Sequence, residues 1–381
     1  MSSKGRFSAG RKPRVVMVSA NAYPVMGGVE THVNEVAPRV AAAGFDVTIL
    51  TTDRSGELPR RDVLGGVSTL RGVPAKRVGA WPARRDWYFA PGILRDVALG
   101  DWDLVHCQGY HTFVPALAML GAITTKKPFL LTFHSGGHGS QLRTRLRGPQ
   151  RGVLRPLLAR ARKLVAVSQF EARFFARELR LPPSRFVTIQ NGAAMAWPDA
   201  GDTSDDESPL ILSVGRLERY KGHHRLIEAL PAILRVRPMA RLRIVGAGPY
   251  DAELRRLAAS SPVSDRIEVG SIDPSNRSGM AAVLASASLV CLLSEYEANP
   301  VAVMEALALR RRVLVADTSG LSELATSGLA RAIPIDSNTA SVATAVVEQL
   351  ATPAPQEFDL PTWDESAASL VDVYREILGL R

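Results

Sequence analysis

Two tandem, doubly wound α/β domains are what this 381-residue sequence predicts, on three observations. Short apolar, β-rich runs alternate with amphipathic helical stretches along nearly the whole chain, the pattern of a parallel sheet covered on both faces. A polar, acidic, proline-bounded segment, "PDAGDTSDDESP" (198–209), interrupts that alternation once, after which it restarts. The length is too great for one ordinary domain and suits two with cores of their own.

Taken in order, "RVVMVS" (14–19) is the first strand, followed by a loop holding Gly27 and Gly28. An amphipathic helix then runs to about Ala43, with Gly44 as its stop. Strands at 46–52, 103–109, 128–135, 163–168 and 186–192 complete the first half. Beyond the interruption come 209–215, 241–248, 266–271, 287–294 and 312–317. The expected organisation is a disordered basic tail over 1–13, a Rossmann-like domain over 14–197 and a linker over 198–208. A second Rossmann-like domain follows over 209–361, and a C-terminal helix over 362–381, free to cross back to the first domain.

Composition narrows the function. Hydrophobic content of 46% with 22% charged residues is globular. The longest apolar run, "FVPALAMLGAI" (113–123), holds 11 residues and a proline; a bilayer span needs about 18 or more. The basic N-terminus leads into no signal-type apolar segment. Cys107 and Cys291 fall in strands of different halves and read as reduced, buried thiols. The expected compartment is the cytoplasm, with the inner face of the membrane within reach. Residues 1–195 carry 29 Lys and Arg against 12 Asp and Glu, whereas the remainder carries 18 against 25. A basic first half suits an anionic acceptor or surface. Nucleic acid is not expected, because the interleaving of aromatic and basic residues that makes a base-stacking platform is absent.

In open sheets of this kind ligands bind beyond the carboxyl ends of the strands. Residues directly after strands are therefore the candidates: Gly27, Gly28, His106, His134, Ser168, Asn191, Arg216, Gly246 and Glu297. Their joint placement in both halves points to a ligand between two facing sheets. In "SEYEANPVAVMEALAL" (294–309), Glu297 ends a strand and Glu305 follows eight residues later. Asn299 is expected to N-cap a helix with Pro300 at its first position, turning free amides toward a phosphate. The two carboxylates would accept bonds from hydroxyls; ordinary glutamates favoured by the helix dipole would give the same spacing. In "SVGRLERYKG" (213–222), Arg216 and Lys221 can neutralise a diphosphate, or belong to a solvated basic loop. Gly27-Gly28 permits close backbone approach to a phosphate or makes a plain turn. "IVGAGP" (244–249) lacks the third glycine and the ribose acid of a dinucleotide site. His32, His106, His134 and His138 lie in or near first-domain loops without metal-type spacing, and a single buried histidine is more often structural. Asp101 and Asp103 precede a strand and read as a turn. Neither a Gly-x-Ser-x-Gly elbow nor a phosphate-binding P-loop is present.

At this point the chain resembles the retaining glycosyltransferases of family 4, with the GT-B fold. The resemblance rests on Gly27-Gly28, His134, "VSQF" with Ser168, "IQNG" with Asn191, "GRLERYKG", "GAGP", "EANPVAVMEAL" and "DTSGLSEL", in the family's order over almost the whole chain. It implies two Rossmann-like domains facing a central cleft, with a nucleoside-diphosphate sugar held mainly by the second and the acceptor by the first. Arg216 and Lys221 would hold the diphosphate, Glu305 the ribose, and Glu297 the sugar hydroxyls. The backbone from Asn299 through Pro300 to Val301 would flank sugar and phosphate, with one donor lost at Pro300, and His134 would stand near the reacting sugar. Gly27, Gly28 and Gly246 would line the donor, and His32, His106, Ser135, His138, Ser168 and Asn191 the acceptor. No cofactor and no metal is implied. Two departures stand out: Ala298-Asn299-Pro300 replaces Gly-Phe-Gly, and Arg310 replaces the glycine ending the helix. A nucleotide-sugar epimerase, which needs no acceptor, and a catalytically silent sugar-nucleotide sensor are the rival classes.

Overall fold

The structure, a computed structural model, describes residues 11–23, 25, 27–53, 67–81, 88–135, 141–273, 276–353, 355 and 358–380, except the side chains of residues 67 and 141–147. His138 and the tail residues 1–10 lie outside this set. Two compact units emerge: Met1–Ser135, Leu146–Asn191 and Thr362–Arg381 form one, and Gly136–Arg145 and Gly192–Pro361 the other.

The first unit is built on an eight-stranded sheet. Its strands are β1 (Arg14–Val18), β2 (Asp46–Thr52), β3 (Val67–Leu70), β4 (Val73–Val78), β5 (Leu104–Gln108), β6 (Phe129–Thr132), β7 (Lys163–Ala166) and β8 (Phe186–Thr188). The order is β3-β4-β2-β1-β5-β6-β7-β8, parallel throughout except for the β3/β4 hairpin. Sequence reading passed over that hairpin. It is an edge element, carries Pro74, and turns through Arg71 and Gly72, both at positive φ (47° and 82°), the conformation of a tight hairpin turn but with arginine where asparagine is usual. Strands read to 135 and 168 end earlier, at Thr132 and Ala166, because the following residues turn away to make loops and caps.

The C-terminal helix, Trp363–Leu378, belongs to this first unit and opens with a capping box between Thr362 and Glu365. Trp363, Leu370, Val371 and Tyr374 are buried in the same apolar cluster as Val33, Val36 and Ile49. Residues 11–13, expected in the tail, are held: Arg11 donates to Asp103 at 2.7 Å, and the Pro13 carbonyl accepts from the Asp46 amide. Asp101 in turn pairs with Arg14 at 3.1 Å, so both aspartates serve the edge where β1 begins.

The second unit has strands β9 (Leu210–Val214), β10 (Arg241–Val245), β11 (Ile267–Gly270), β12 (Leu289–Leu292), β13 (Arg312–Asp317) and β14 (Arg331–Pro334), all parallel in the order β11-β10-β9-β12-β13-β14. β14 is four residues long and ends in proline, too little pattern to be read as a strand. The acidic 198–208 segment is not a free linker. Arg311 grips both oxygens of Asp202 at 2.6 and 2.8 Å, and Arg312 grips Asp206 at 2.9 and 3.0 Å. In each sheet the winding direction reverses at the centre, between β1 and β5 and between β9 and β12. These are the topological switch points, where loops part beyond the strand ends and leave room for a ligand.

Candidate functional site

The switch point of the second unit gathers three loops and sews them together through the backbone. After β9 the chain makes a short 3-10 turn at Arg219–Lys221 and then Gly222, at φ 75°. A side chain there would collide with the Leu293 carbonyl, so only glycine lets this loop lie against the end of β12. The Glu295 amide donates to the Tyr220 carbonyl at 2.8 Å. On the far side Thr318 donates to the Glu295 carbonyl at 3.0 Å, and the Ser319 hydroxyl accepts from the Glu297 amide at 2.8 Å. The Gly320 amide completes the seam by donating to the Glu297 carbonyl at 2.8 Å. Ser319 holds φ 51°, a left-handed conformation that a non-glycine residue keeps only when its surroundings enforce it.

This scaffold brings Lys221 and Glu297 into an ion pair, with both side chains largely buried (13% and 9% exposed). Arg216, by contrast, projects outward at 66% exposure and meets Glu218 at 3.1 Å. Its backbone is set by a residue that sequence reading missed. Burial lowers the His223 pKa to about 4, so the ring carries one proton. A carbonyl only accepts, which puts that proton on Nε2, donating to the Arg216 carbonyl at 3.2 Å; Nδ1 lies 2.8 Å from the Ser213 hydroxyl, whose proton is shared with the Cys291 carbonyl at 3.0 Å.

The helix after β12 begins at Val301, not at Pro300. Pro300 takes the cap position, and its carbonyl accepts from the Val303 and Met304 amides, so the expected Asn299 side-chain cap does not form. The amides of Val301 and Ala302 lie ahead of those bonds, at the positive end of the helix. Glu305 is therefore the fifth helical residue. It is buried, and Arg277 donates to it at 2.6 Å, a second partner that the motif pattern did not reveal. The helix ends without glycine because Arg310 itself adopts φ 56°. Gly246 serves packing: a side chain would strike the Gly215 carbonyl, and its amide is engaged by Gly270 at 2.9 Å.

In the first unit, Gly27 is the N-cap of the Gly28–Ala42 helix, and a Cβ at Gly28 would meet nothing within 4 Å, so the backbone is open to close approach there. The histidines divide. His106 is fully buried, with Nδ1 on the Tyr374 hydroxyl at 2.6 Å and Nε2 on the Thr132 hydroxyl at 2.8 Å. It is a core histidine locking the C-terminal helix, which corrects its expected place on the acceptor. His32 is buried too, with Nδ1 on Asn191 Oδ1 at 3.0 Å and its pKa lowered to about 4 by burial. That bond explains Asn191 as a structural partner. Ser168 caps the Gln169–Leu179 helix by accepting from the Glu171 amide at 3.2 Å, so its hydroxyl is a helix cap rather than an acceptor contact.

His134 is only half-buried and sits just past β6 at φ 48°. Its Nε2 donates to Gln108 Oε1 at 2.8 Å, while burial and the neighbouring His32, His106 and His111 hold its pKa well below the usual histidine range. The ring is neutral, and Nδ1, an acceptor, has no hydrogen-bond partner among the described residues. Ser135 is buried, and both its amide and its hydroxyl donate to Glu171. Among the described residues no cluster of three or more His, Cys, Asp or Glu is arranged to hold a metal ion.

Two Rossmann-like units with basic and acidic side chains at a switch point are the architecture of the GT-B glycosyltransferases. Residues 26–196 match Glycosyltransferase Family 4, and residues 199–356 match Glycosyl transferases group 1. The chain belongs to these glycosyltransferases and is an enzyme of that class. It is 29% identical over 334 residues to a phosphatidyl-myo-inositol mannosyltransferase of Mycolicibacterium smegmatis, covering 85% of this chain and 81% of that one. A glycogen synthase of Mycobacterium tuberculosis is 28% identical, covering 90% and 87%. Among solved structures, sucrose-phosphate synthase from Thermosynechococcus elongatus superimposes with a TM-score of 0.79 at 20% identity, covering 97% and 100%. An Anabaena protein solved with UDP-glucose gives 0.67 at 17% identity, covering 96% of each chain. The fold is GT-B.

Proposed function

We propose that the enzyme transfers a hexosyl group from a nucleoside-diphosphate sugar, UDP- or GDP-linked, to an acceptor hydroxyl with retention of configuration. The product would carry an α linkage, and no divalent metal would be needed. The observation that carries this reading is the union of Lys221, Glu297 and the Val301 helix end on loops sewn together at one switch point. A buried ion pair is costly to desolvate. A ligand offering an anionic phosphate to Lys221 and hydroxyls to Glu297 answers both partners at once. Arg216, exposed on the same loop as Lys221, adds a fork of donors for the second phosphate. Glu305, pinned by Arg277, takes the ribose.

With no side chain assigned as nucleophile, the leaving diphosphate accepts the acceptor hydroxyl's proton on the face from which it departs. The acceptor oxygen then forms the new bond to the anomeric carbon as the old C–O bond breaks. The chain's work is electrostatic: donors fixed in advance where negative charge grows on the diphosphate. His134, neutral and with Nδ1 free to accept, is assigned to the reacting sugar. The acceptor, a sugar, a lipid-linked species or a small molecule, falls to the first unit. The relatives named for phosphatidyl-myo-inositol and glycogen, and the Anabaena neighbour holding UDP-glucose, support a sugar-nucleotide donor.

A panel of UDP-, GDP- and ADP-sugars in thermal shift, followed by product analysis with and without acceptor, tests this reading. One donor family should stabilise the protein, and transfer should require acceptor and survive EDTA. Arg216→Ala and Lys221→Ala should each lower kcat by roughly 10²-fold with the fold intact. Glu305→Ala should weaken free nucleotide, whereas Glu297→Ala should weaken only the sugar donor. Sugar epimerised without acceptor, or near-wild-type turnover in Lys221→Ala, would overturn the assignment.

A further inference from the structure

Glu171 has no part in the chemistry assigned above, yet it is a fully buried carboxylate into which three donors converge. As the third residue of the Gln169–Leu179 helix it would ordinarily reach back to its own cap amide. Instead Oε2 accepts from the Val167 amide at 2.8 Å, and Oε1 crosses to the His134 loop. There it takes the Ser135 amide at 2.6 Å together with the Ser135 hydroxyl. We propose that Glu171 is the positioning residue of the His134 loop, holding His134 in its left-handed backbone conformation while Gln108 fixes the ring.

The two anchors are complementary. A single carboxylate oxygen that receives both donors of Ser135 fixes the residue immediately after His134, so the φ of 48° at His134 cannot relax toward an ordinary value without breaking both bonds. At the other end, Gln108 Oε1 receives His134 Nε2–H at 2.8 Å and so determines which ring nitrogen remains an acceptor. A buried carboxylate is tolerated only when its lone pairs are satisfied, and here the satisfying groups are supplied by this loop. Burial raises the Glu171 pKa to about 7 against those bonds; the groups facing it are Ser135, Val167 and Ser168.

This inference rests on His134 acting at the reacting sugar, so its test carries one readout that needs no substrate. Glu171→Gln keeps the shape but turns an amide N–H₂ toward one of the existing donors. It should lower kcat by about tenfold or more, as small displacements of a reacting group do, and leave the donor KM, set in the other unit, within about twofold. In a His134→Ala background the same change should add nothing, the signature of a residue acting through another. Ser135→Ala, which removes one of the three donors, should show a smaller loss with the same dependence on His134 and serves if Glu171→Gln folds poorly. Long-range ¹H–¹⁵N spectra should show the His134 ring signals displaced in Glu171→Gln, and those of His223 unmoved. Displaced His134 signals in a protein that turns over no donor would support the positioning role and sink the catalytic reading. Losses that multiply with His134→Ala, or unmoved His134 signals, would overturn the proposal.

Discussion

Burial keeps His32, His106, His134 and His223 neutral, and that makes them a source of acid sensitivity. His32 titrates near 6.5 when unfolded and near 4 when folded. Above pH 6.5 both states are neutral and its contribution is complete; between 6.5 and 4 only the unfolded chain takes up a proton, so stability falls as pH falls. The slope reaches ~1.4 kcal/mol per pH unit for each such group. His106, His134 and His223 act in the same direction. Glu171 opposes them: with its folded pKa raised from 4.5 to about 7, its contribution is present below 4.5 and lost as pH rises through 7. Denaturant titrations should therefore give a lower unfolding free energy at pH 5 than at pH 7. His32→Asn, whose amide nitrogen replaces Nδ1 opposite Asn191, should flatten that dependence; a variant that merely shifts the curve by a constant would rule out His32 as a source. Such readings were within reach of the sequence only in part. Glu297, Lys221 and His134 lie in the loops that follow β12, β9 and β6 and could be found by position. Ser319, His223, Arg277 and Glu171 could not, because their partners lie in other elements and only the fold brings them together.

At the level of elements, alternation of apolar runs and helices carried the reading almost everywhere except at sheet edges, where β3, β4 and β14 are short, polar or proline-bearing. The acidic 198–208 segment shows the other limit. Its composition is that of a solvated linker, and nothing in "PDAGDTSDDESP" signals that Arg311 and Arg312, a hundred residues later, will clamp it. Arg311 is 4% exposed and donates to the carbonyls of Leu309, Ala285 and Ala287 as well as to Asp202. Its removal would take that donor from three buried carbonyls and leave the Asp202 carboxylate with Ser204 alone. We expect Arg311→Ala to destabilise the second unit by roughly 3 kcal/mol, the usual cost of breaking a buried charged network from one side. Asp202→Asn should cost less, since Asp202 is half exposed and the carbonyl bonds survive. The Asp202 carboxyl is held well below the usual carboxylate range, chiefly by Arg311, so its contribution is present at neutral pH and fades only in strong acid. Calorimetry of the two variants checks both values; equal losses would show that the carbonyl bonds contribute nothing.

Across the whole molecule the charge is divided, with the excess of Lys and Arg in the first half and of Asp and Glu in the second. The stretch "RTRLRGPQRGVLRPLLARARK" (143–163) has eight Lys and Arg and no acid, and its interleaved leucines give it the pattern of an amphipathic helix that would bind an anionic membrane. The helix Gln141–Leu158 does form, but Leu154 and Leu158, with Ala161 after it, are buried and Leu157 packs against the same core, leaving Val153 outside at 77% exposure. Several of the cations are also engaged: Arg151 meets Glu178 at 2.6 Å, Arg155 donates to the Leu179 carbonyl, and Lys163 pairs with Glu376 at 3.0 Å. An apolar face for insertion is therefore missing from the described part of this stretch, and no helix among the described residues is long and apolar enough to cross a membrane. What remains is charge. Basic residues near an anionic surface contribute up to about 1 kcal/mol each and are screened within a Debye length of roughly 10 Å at 0.1 M salt. The expected behaviour is recruitment to phosphatidylglycerol vesicles at low salt, none to neutral vesicles, and release as salt rises. Co-sedimentation measures this directly. Binding that persists in high salt would mean that apolar contacts operate after all, and a protein left in the supernatant with anionic vesicles at low salt would assign the basic half to a soluble anionic acceptor instead.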